Sequence, residues 1–227
     1  MSATTGIEWT DATWNPWRGC HKVSPACAHC YMFREQTRYG QDPNRVVRAS
    51  KSTFDAPLYW NEPKKIFTCS WSDFFIEEAD AWREDAWEII AGTPQHTYQI
   101  LTKRPERIED EDYAPNVWFG VSVENARYYS RIATLQKIRC SVRFLSIEPL
   151  LGPMTDLPLD GISWVIVGGE SGPNFRPLNL DWVRDIREHC LEKGIAFFFK
   201  QHSALQPKRL GRLLDGREWN EFPEERA

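Results

Sequence analysis

Ser163-Trp-Val-Ile-Val-Gly168, then Leu180-Asp-Trp-Val-Arg-Asp-Ile-Arg-Glu-His-Cys-Leu-Glu-Lys193, then Ile195-Ala-Phe-Phe-Phe-Lys200, is the stretch whose reading decides the fold. The outer two runs are short, apolar and rich in β-branched and aromatic residues, the length of a buried strand. The middle run places Leu180, Val183, Ile186, Cys190 and Leu191 on one face, with Asn179 as a cap and Gly194 as a stop. Strand, helix, strand implies a parallel pair joined by a right-handed crossover. The same kind of apolar run recurs upstream at Lys65-Ile-Phe-Thr-Cys-Ser70, Tyr98-Gln-Ile-Leu-Thr102, Asn116-Val-Trp-Phe-Gly-Val-Ser122 and Arg143-Phe-Leu-Ser-Ile-Glu148. Ala79 to Gly92 and Glu124 to Ile138 read as helices between them.

Polar residues follow the six runs: Ser72 and Asp73; Thr102, Lys103 and Arg104; Ser122, Glu124 and Asn125; Glu148; Gly168, Gly169, Glu170 and Ser171; Lys200 and Gln201. An open doubly wound sheet uses mainly the strand ends at its switch point. Polar groups at every strand end suit a ring of strands whose carboxyl-terminal rim faces one site. The expected architecture is therefore α/β, a partial (βα)6-type TIM barrel with parallel strands, as a single domain over residues 1–227. An Asp-Gly pair inside Arg212-Leu-Leu-Asp-Gly-Arg-Glu-Trp219 predicts a short hairpin in a C-terminal extension from about residue 203.

Lys plus Arg number 28 against 32 Asp plus Glu, a net charge of −4. A contact with nucleic acid would thus need a local basic patch. The 11 Trp are expected in the core or in pocket walls. No run approaches the roughly 20 apolar residues of a membrane span. The first residues lack the basic and apolar segments of a secretory signal, so the expected location is cytoplasmic. In a reducing compartment clustered cysteines read as metal ligands before disulfides. Cys69, Cys140 and Cys190 stand singly and read as small buried apolar residues.

Cys20, Cys27 and Cys30 are different, because they cluster in residues 14–31. Ser24-Pro25 predicts a helix start, with the helix running through Cys27 and Cys30 to Gly40. The two cysteines would share a face near the positive end of the helix dipole, which favours thiolates. Gly19 lets the preceding loop bend so that Cys20 can reach the same point. Zinc would want a fourth ligand, which His21 or His29 could supply. An iron–sulfur cluster held by three cysteines would keep one iron free. Spacing alone leaves both open.

The run Asn15-Pro-Trp-Arg-Gly-Cys20 … Cys27-Ala-His-Cys30-Tyr31 resembles the cluster loop of radical S-adenosylmethionine (SAM) enzymes. Over nearly its whole length the chain more closely resembles the phage-associated three-cysteine-motif family. Gly6-Ile-Glu-Trp-Thr-Asp-Ala-Thr-Trp-Asn-Pro, Ser70-Trp-Ser-Asp-Phe-Phe75, Leu101-Thr-Lys-Arg-Pro105, Gly120-Val-Ser-Val-Glu-Asn125, Ser146-Ile-Glu-Pro-Leu150, Gly168-Gly-Glu-Ser-Gly172 and Leu214-Asp-Gly-Arg217 carry that likeness. Two features depart from the radical SAM pattern. Six residues, not three, separate Cys20 from Cys27, and Gly168-Gly-Glu170 lies four strands later than the superfamily's Gly-Gly-Glu motif.

The resemblance implies a [4Fe–4S] cluster on Cys20, Cys27 and Cys30, with S-adenosyl-L-methionine on the open iron and cleaved to a 5′-deoxyadenosyl radical. It implies Tyr31 near the adenine, Ser72 and Asp73 at the methionyl amine, and Ser122, Glu124 and Asn125 at the ribose. Gly168 and Gly169 would admit the ligand closely, with Glu148 and Glu170 beside them. Lys103 and Arg104, with Arg143 and Arg176, would meet a carboxylate or an anionic substrate. A flavodoxin or ferredoxin would supply the electron. A three-cysteine-motif partner protein and a nucleotide or nucleic-acid substrate are the expected associations. The alternative is a zinc-stabilised nucleic-acid-binding or adaptor protein without catalysis.

Overall fold

The computed structural model describes residues 5–109 and 111–224. Seven strands form one sheet: β1 (Ala12–Trp14), β2 (Lys65–Thr68), β3 (Thr97–Thr102), β4 (Val117–Ser122), β5 (Val142–Ile147), β6 (Trp164–Gly168) and β7 (Ala196–Gln201). They lie side by side in chain order, and every pairing is parallel. The sheet curls into a half-barrel. Among the described residues β7 does not pair with β1, so the expected ring is open. The six apolar runs all became strands. The seventh, β1, escaped the sequence reading because it spans three residues inside a polar, Trp-rich segment.

Helix α1 (Tyr31–Arg38) lies between β1 and β2, α2 (Asp80–Gly92) between β2 and β3, α3 (Tyr129–Leu135) between β4 and β5, and α4 (Leu180–Glu192) between β6 and β7. Asn179 caps α4 by accepting from the Asp181 N–H, and Gly194 follows at φ 65°. Two expectations need correction. The helix predicted over 124–138 is a 3-10 turn, Ala126–Tyr128, followed by α3, because Asn125 caps at Arg127 N–H. The helix predicted from Ser24 to Gly40 is broken. Pro25–Cys27 is one 3-10 turn, Cys30 turns extended (φ −59°, ψ 128°), and α1 begins only at Tyr31.

The two-residue period of the strands separates two apolar layers. The outward residues, such as Tyr98, Ile100, Phe119, Val121, Leu145, Val165 and Phe199, form the main core under the helices. The inward residues Phe67, Trp118, Phe144, Trp164, Ile166 and Phe198 pack with Trp9 into a second cluster inside the curl. Gly120 faces inward too, where an added Cβ would lie 2.3 Å from the Phe144 ring.

The chain's later residues close the floor of this interior. Trp164 donates to the Glu221 carbonyl (2.8 Å), and its ring lies 5.1 Å from that of Phe222. The predicted hairpin precedes them: Leu213–Leu214 pairs antiparallel with Arg217–Glu218 around Asp215 and Gly216, both at positive φ. The free edge of β7 is bonded by Phe199 N–H to Trp219 O (3.0 Å) and by Glu221 N–H to Phe197 O (3.2 Å). Cys69 and Cys190 are buried and Cys140 is half-buried. Among the described residues no helix is long and apolar enough to cross a membrane.

Candidate functional site

Aromatic packing stops partway along the interior. Nearer the carboxyl ends of the strands the inward positions become Ser122 on β4, Ser146 on β5, Glu148 just past it and Lys200 on β7. These four border a cavity of about 480 Å³. Its upper walls are loops that follow β1, β2, β3 and β6, and Cys20, Cys27 and Cys30 all lie on it. Tyr31, Ser72, Asp73, Lys103, Arg104, Gly169 and Glu170 line it as well.

Asp73 is a knot between loops. Its carboxylate accepts from Thr102 Oγ (2.6 Å), Phe75 N–H (3.0 Å), Lys103 N–H (2.9 Å) and Arg104 Nη1 (2.9 Å). Those four donors saturate it, which corrects the expectation that it waits for a ligand's amine. Ser72 is spent similarly, donating to the Gly19 carbonyl. Arg104 continues from Asp73 to the cysteine loop, with Nη1 3.9 Å from Cys20 Sγ and Nη2 donating to His21 O (3.1 Å).

Gly19 sits at φ 94°, where a Cβ would lie 2.3 Å from the Arg45 carbonyl oxygen. This bend aims Cys20 at the cavity, as the sequence suggested. Burial, the largest influence, pushes the Cys20 thiol up to about 11, with the charge of Asp73 adding and Arg104 opposing. A thiolate at Cys20 thus needs a cation to replace the lost water. Cys27 Sγ lies 3.8 Å from Ser24 Oγ. Cys30 stands at the N-cap of α1, its carbonyl accepting from Arg34 N–H (3.3 Å).

The far side of the cysteine loop is clamped to the end of β6. Glu170 accepts from Arg176 N–H (2.7 Å) and Nε (3.0 Å), pairs with its Nη2, and meets His29 Nδ1 at 3.1 Å. Arg176 Nη2 also donates to the Pro25 carbonyl (3.0 Å). Burial alone raises the pKa of Glu170, yet the Arg176 and His29 bonds outweigh it and hold the carboxyl below its usual value. The loop therefore bridges the mouth, tied to Asp73 and Arg104 on one side and to Glu170 on the other.

Both histidines that could complete a zinc site are engaged, His21 with Glu78 and His29 with Glu170. Among the described residues no three His, Cys, Asp or Glu side chains are gathered closely enough to hold one metal ion. The predicted meeting of three sulfurs at one point is instead a shared wall of the cavity.

Other predicted residues fall differently. Glu124 is buried against Arg131 (3.0 Å) and, like Asn125 and Gly168, does not line the cavity. A Cβ on Gly168 would lie 2.5 Å from Glu148 Oε1, and one on Gly169 2.3 Å from Ser203 Oγ. Their smallness serves packing within the protein. Glu148 faces Lys200 at 3.2 Å. The Tyr31 hydroxyl donates to Ser70 O (2.6 Å), and burial raises its pKa. Sequence reasoning missed Ser146 and Trp71 on the wall. The parity of Phe144, Ser146 and Glu148 in one strand was the signal that could have found Ser146.

The fold and the site define an α/β half-barrel with a thiol-bearing loop over its mouth. The chain belongs to the family described as Protein of unknown function (DUF5131), which matches residues 4–223. No curated protein and no solved structure matches it.

Proposed function

We propose that this chain is a radical SAM-like enzyme in which Cys20, Cys27 and Cys30 hold a [4Fe–4S] cluster beside S-adenosyl-L-methionine, acting on a nucleotide or nucleic-acid substrate. The half-barrel is then the partial TIM barrel of that superfamily. The observation that carries the reading is three thiols on one cavity wall at the carboxyl ends of parallel strands. His21 and His29 each pair with a carboxylate through one ring nitrogen and keep the other. Three thiols suit an iron–sulfur cluster with one open iron, whereas a four-coordinate zinc would have to draw its fourth ligand from one of those imidazoles. A cluster of several irons also accepts thiols spread along a wall, where a single ion does not.

When bound, such a cluster supplies the electron that cleaves the sulfonium of SAM. The chain's own residues do the positioning. Glu170 and Arg176 fix the loop on one side, and Asp73 and Arg104 on the other. Arg104 directs positive charge at Cys20, which favours a ligating thiolate. The reading includes a reducing, cytoplasmic setting, a flavodoxin or ferredoxin as electron donor, and a three-cysteine-motif partner protein.

Anaerobic reconstitution with iron and sulfide tests it. The expected product is brown protein absorbing near about 400 nm, which releases 5′-deoxyadenosine from SAM on reduction, while Cys27→Ala does neither. Colourless protein carrying stoichiometric zinc would replace this reading with the zinc one. A loaded cluster without 5′-deoxyadenosine above the Cys27→Ala control would remove the cleavage chemistry.

A further inference from the structure

Charge on the cavity wall is almost fully compensated. Each lining carboxylate has a cationic partner within 3.5 Å. Lys103 stands apart. It is half-buried on the same wall, and among the described residues its ammonium has no carboxylate, carbonyl or ring partner. Trp71 stands apart in the same way. It lines the cavity half-buried, belongs to neither apolar cluster, and among the described residues has no ring contact and no acceptor for its indole N–H. The two are neighbours through Asp73, which follows Trp71 by two residues and accepts from the Lys103 N–H at 2.9 Å.

A third feature lies deeper. Ser122 and Ser146 sit directly opposite each other in the β4–β5 register, and both face the cavity. They are 3% and 1% exposed, and among the described residues neither hydroxyl has a protein partner. A half-buried ammonium without a counter-ion is a place for an anion. An uncovered indole face is a place for a flat ring. Two adjacent hydroxyls can donate to and accept from a polar edge between them.

We propose that Trp71 and Lys103 form a nucleotide recognition pair, the indole stacking on a base and the ammonium meeting its phosphate, with the Ser122 and Ser146 hydroxyls bonding the polar remainder. This names the substrate class of the enzyme proposed above and rests on that reading for its role in turnover. The binding itself needs no cluster, so the two stand or fall separately.

Equilibrium binding to the metal-free full-length chain is the test, with adenosine 5′-monophosphate, adenosine, a short single-stranded oligonucleotide and SAM as probes. Adenosine 5′-monophosphate is expected to bind more tightly than adenosine, and added salt to weaken only the former. Lys103→Gln is expected to weaken the monophosphate by about tenfold or more and to leave adenosine unchanged. Trp71→Leu is expected to weaken both, with circular dichroism confirming its fold. Lys103→Gln, at a half-buried side chain without partners, carries the test if Trp71→Leu does not fold. An oligonucleotide tighter than the monophosphate places the nucleotide in a strand, and a weaker one makes it free; both support the pair. Equal binding of adenosine and its monophosphate, an unchanged monophosphate affinity in Lys103→Gln, or binding of SAM alone would overturn the proposal. Nucleotide binding that persists when no cluster can be loaded would overturn the enzyme reading and leave this one standing.

Discussion

At the amino-terminal ends of the strands the interior is closed by Trp118, Trp164 and Phe198, whereas a few residues further along the strands it opens onto Ser122, Ser146 and Lys200. Both ends obey the same alternation, so strand geometry alone does not separate them. The covering segment does. Trp9 and the tail residues Glu221 and Phe222 fill the lower end with apolar surface and a matched carbonyl. Over the upper end lies a loop held by ions and polar bonds, which leaves a cavity. Apolar packing makes the floor, and electrostatics arranges the mouth.

Substitutions at the two ends sharpen that contrast. Trp164→Ala is expected to have the largest effect, a loss of about 4 kcal/mol in urea denaturation, because a fully buried ring leaves a void among five aromatic neighbours. A loss under about 1 kcal/mol would mean that the floor is not a core. Asp73→Ala strands Arg104, whose side chain is 11% exposed, and the same measurement should show a loss of roughly 3 kcal/mol. Gly120→Ala drives a methyl into the Phe144 ring, for about 2 kcal/mol.

Glu170→Gln, in the clamp, is expected to cost about 1 kcal/mol at neutral pH. Its pH dependence has a definite sign. The carboxyl of Glu170 titrates lower in the folded chain than in the unfolded one. Its contribution is therefore complete above its ordinary value of 4.5 and is lost as pH falls through the lowered folded value. The stability gap between the native protein and Glu170→Gln should shrink on acidification; a gap that widens would show that the clamp is not held by the charged carboxylate. Cys27→Ala should be the mildest, under about 1 kcal/mol in the metal-free chain, since that thiol is half-exposed and makes one long contact to Ser24 Oγ at 3.8 Å. The same variant should abolish cluster loading.

The sheet was largely legible in the sequence because six of its strands are apolar runs bounded by polar residues, a pattern burial imposes directly. Ala12–Trp14 was not, being too short for its alternation to register. The helix through Cys27 and Cys30 looked sound from Ser24-Pro25, but Ser24 makes no side-chain capping bond, and the Pro25 carbonyl is shared between the Ala28 N–H of a single 3-10 turn and Arg176. That partner is 151 residues away in the chain. The site divides along the same line. Which residues reach the cavity follows largely from strand ends and parity, as Ser122, Glu148 and Lys200 show. Which of them remain available to a ligand does not, since Asp73 is saturated by donors from two loops and Glu124 is absorbed by Arg131. Residue types announce chemical capacity, whereas only three-dimensional neighbours decide whether it is already used.

The bonds from Trp219 and Glu221 along the rim of β7 carry a consequence for biosynthesis. Until those residues leave the ribosome, a nascent chain exposes the ring of Trp164 and an unprotected strand edge, the kind of surface on which chains adhere to one another. Maturation of this molecule therefore waits for residues 219–222, and a chain cut before residue 219 would be an adhesive intermediate instead of a smaller working protein.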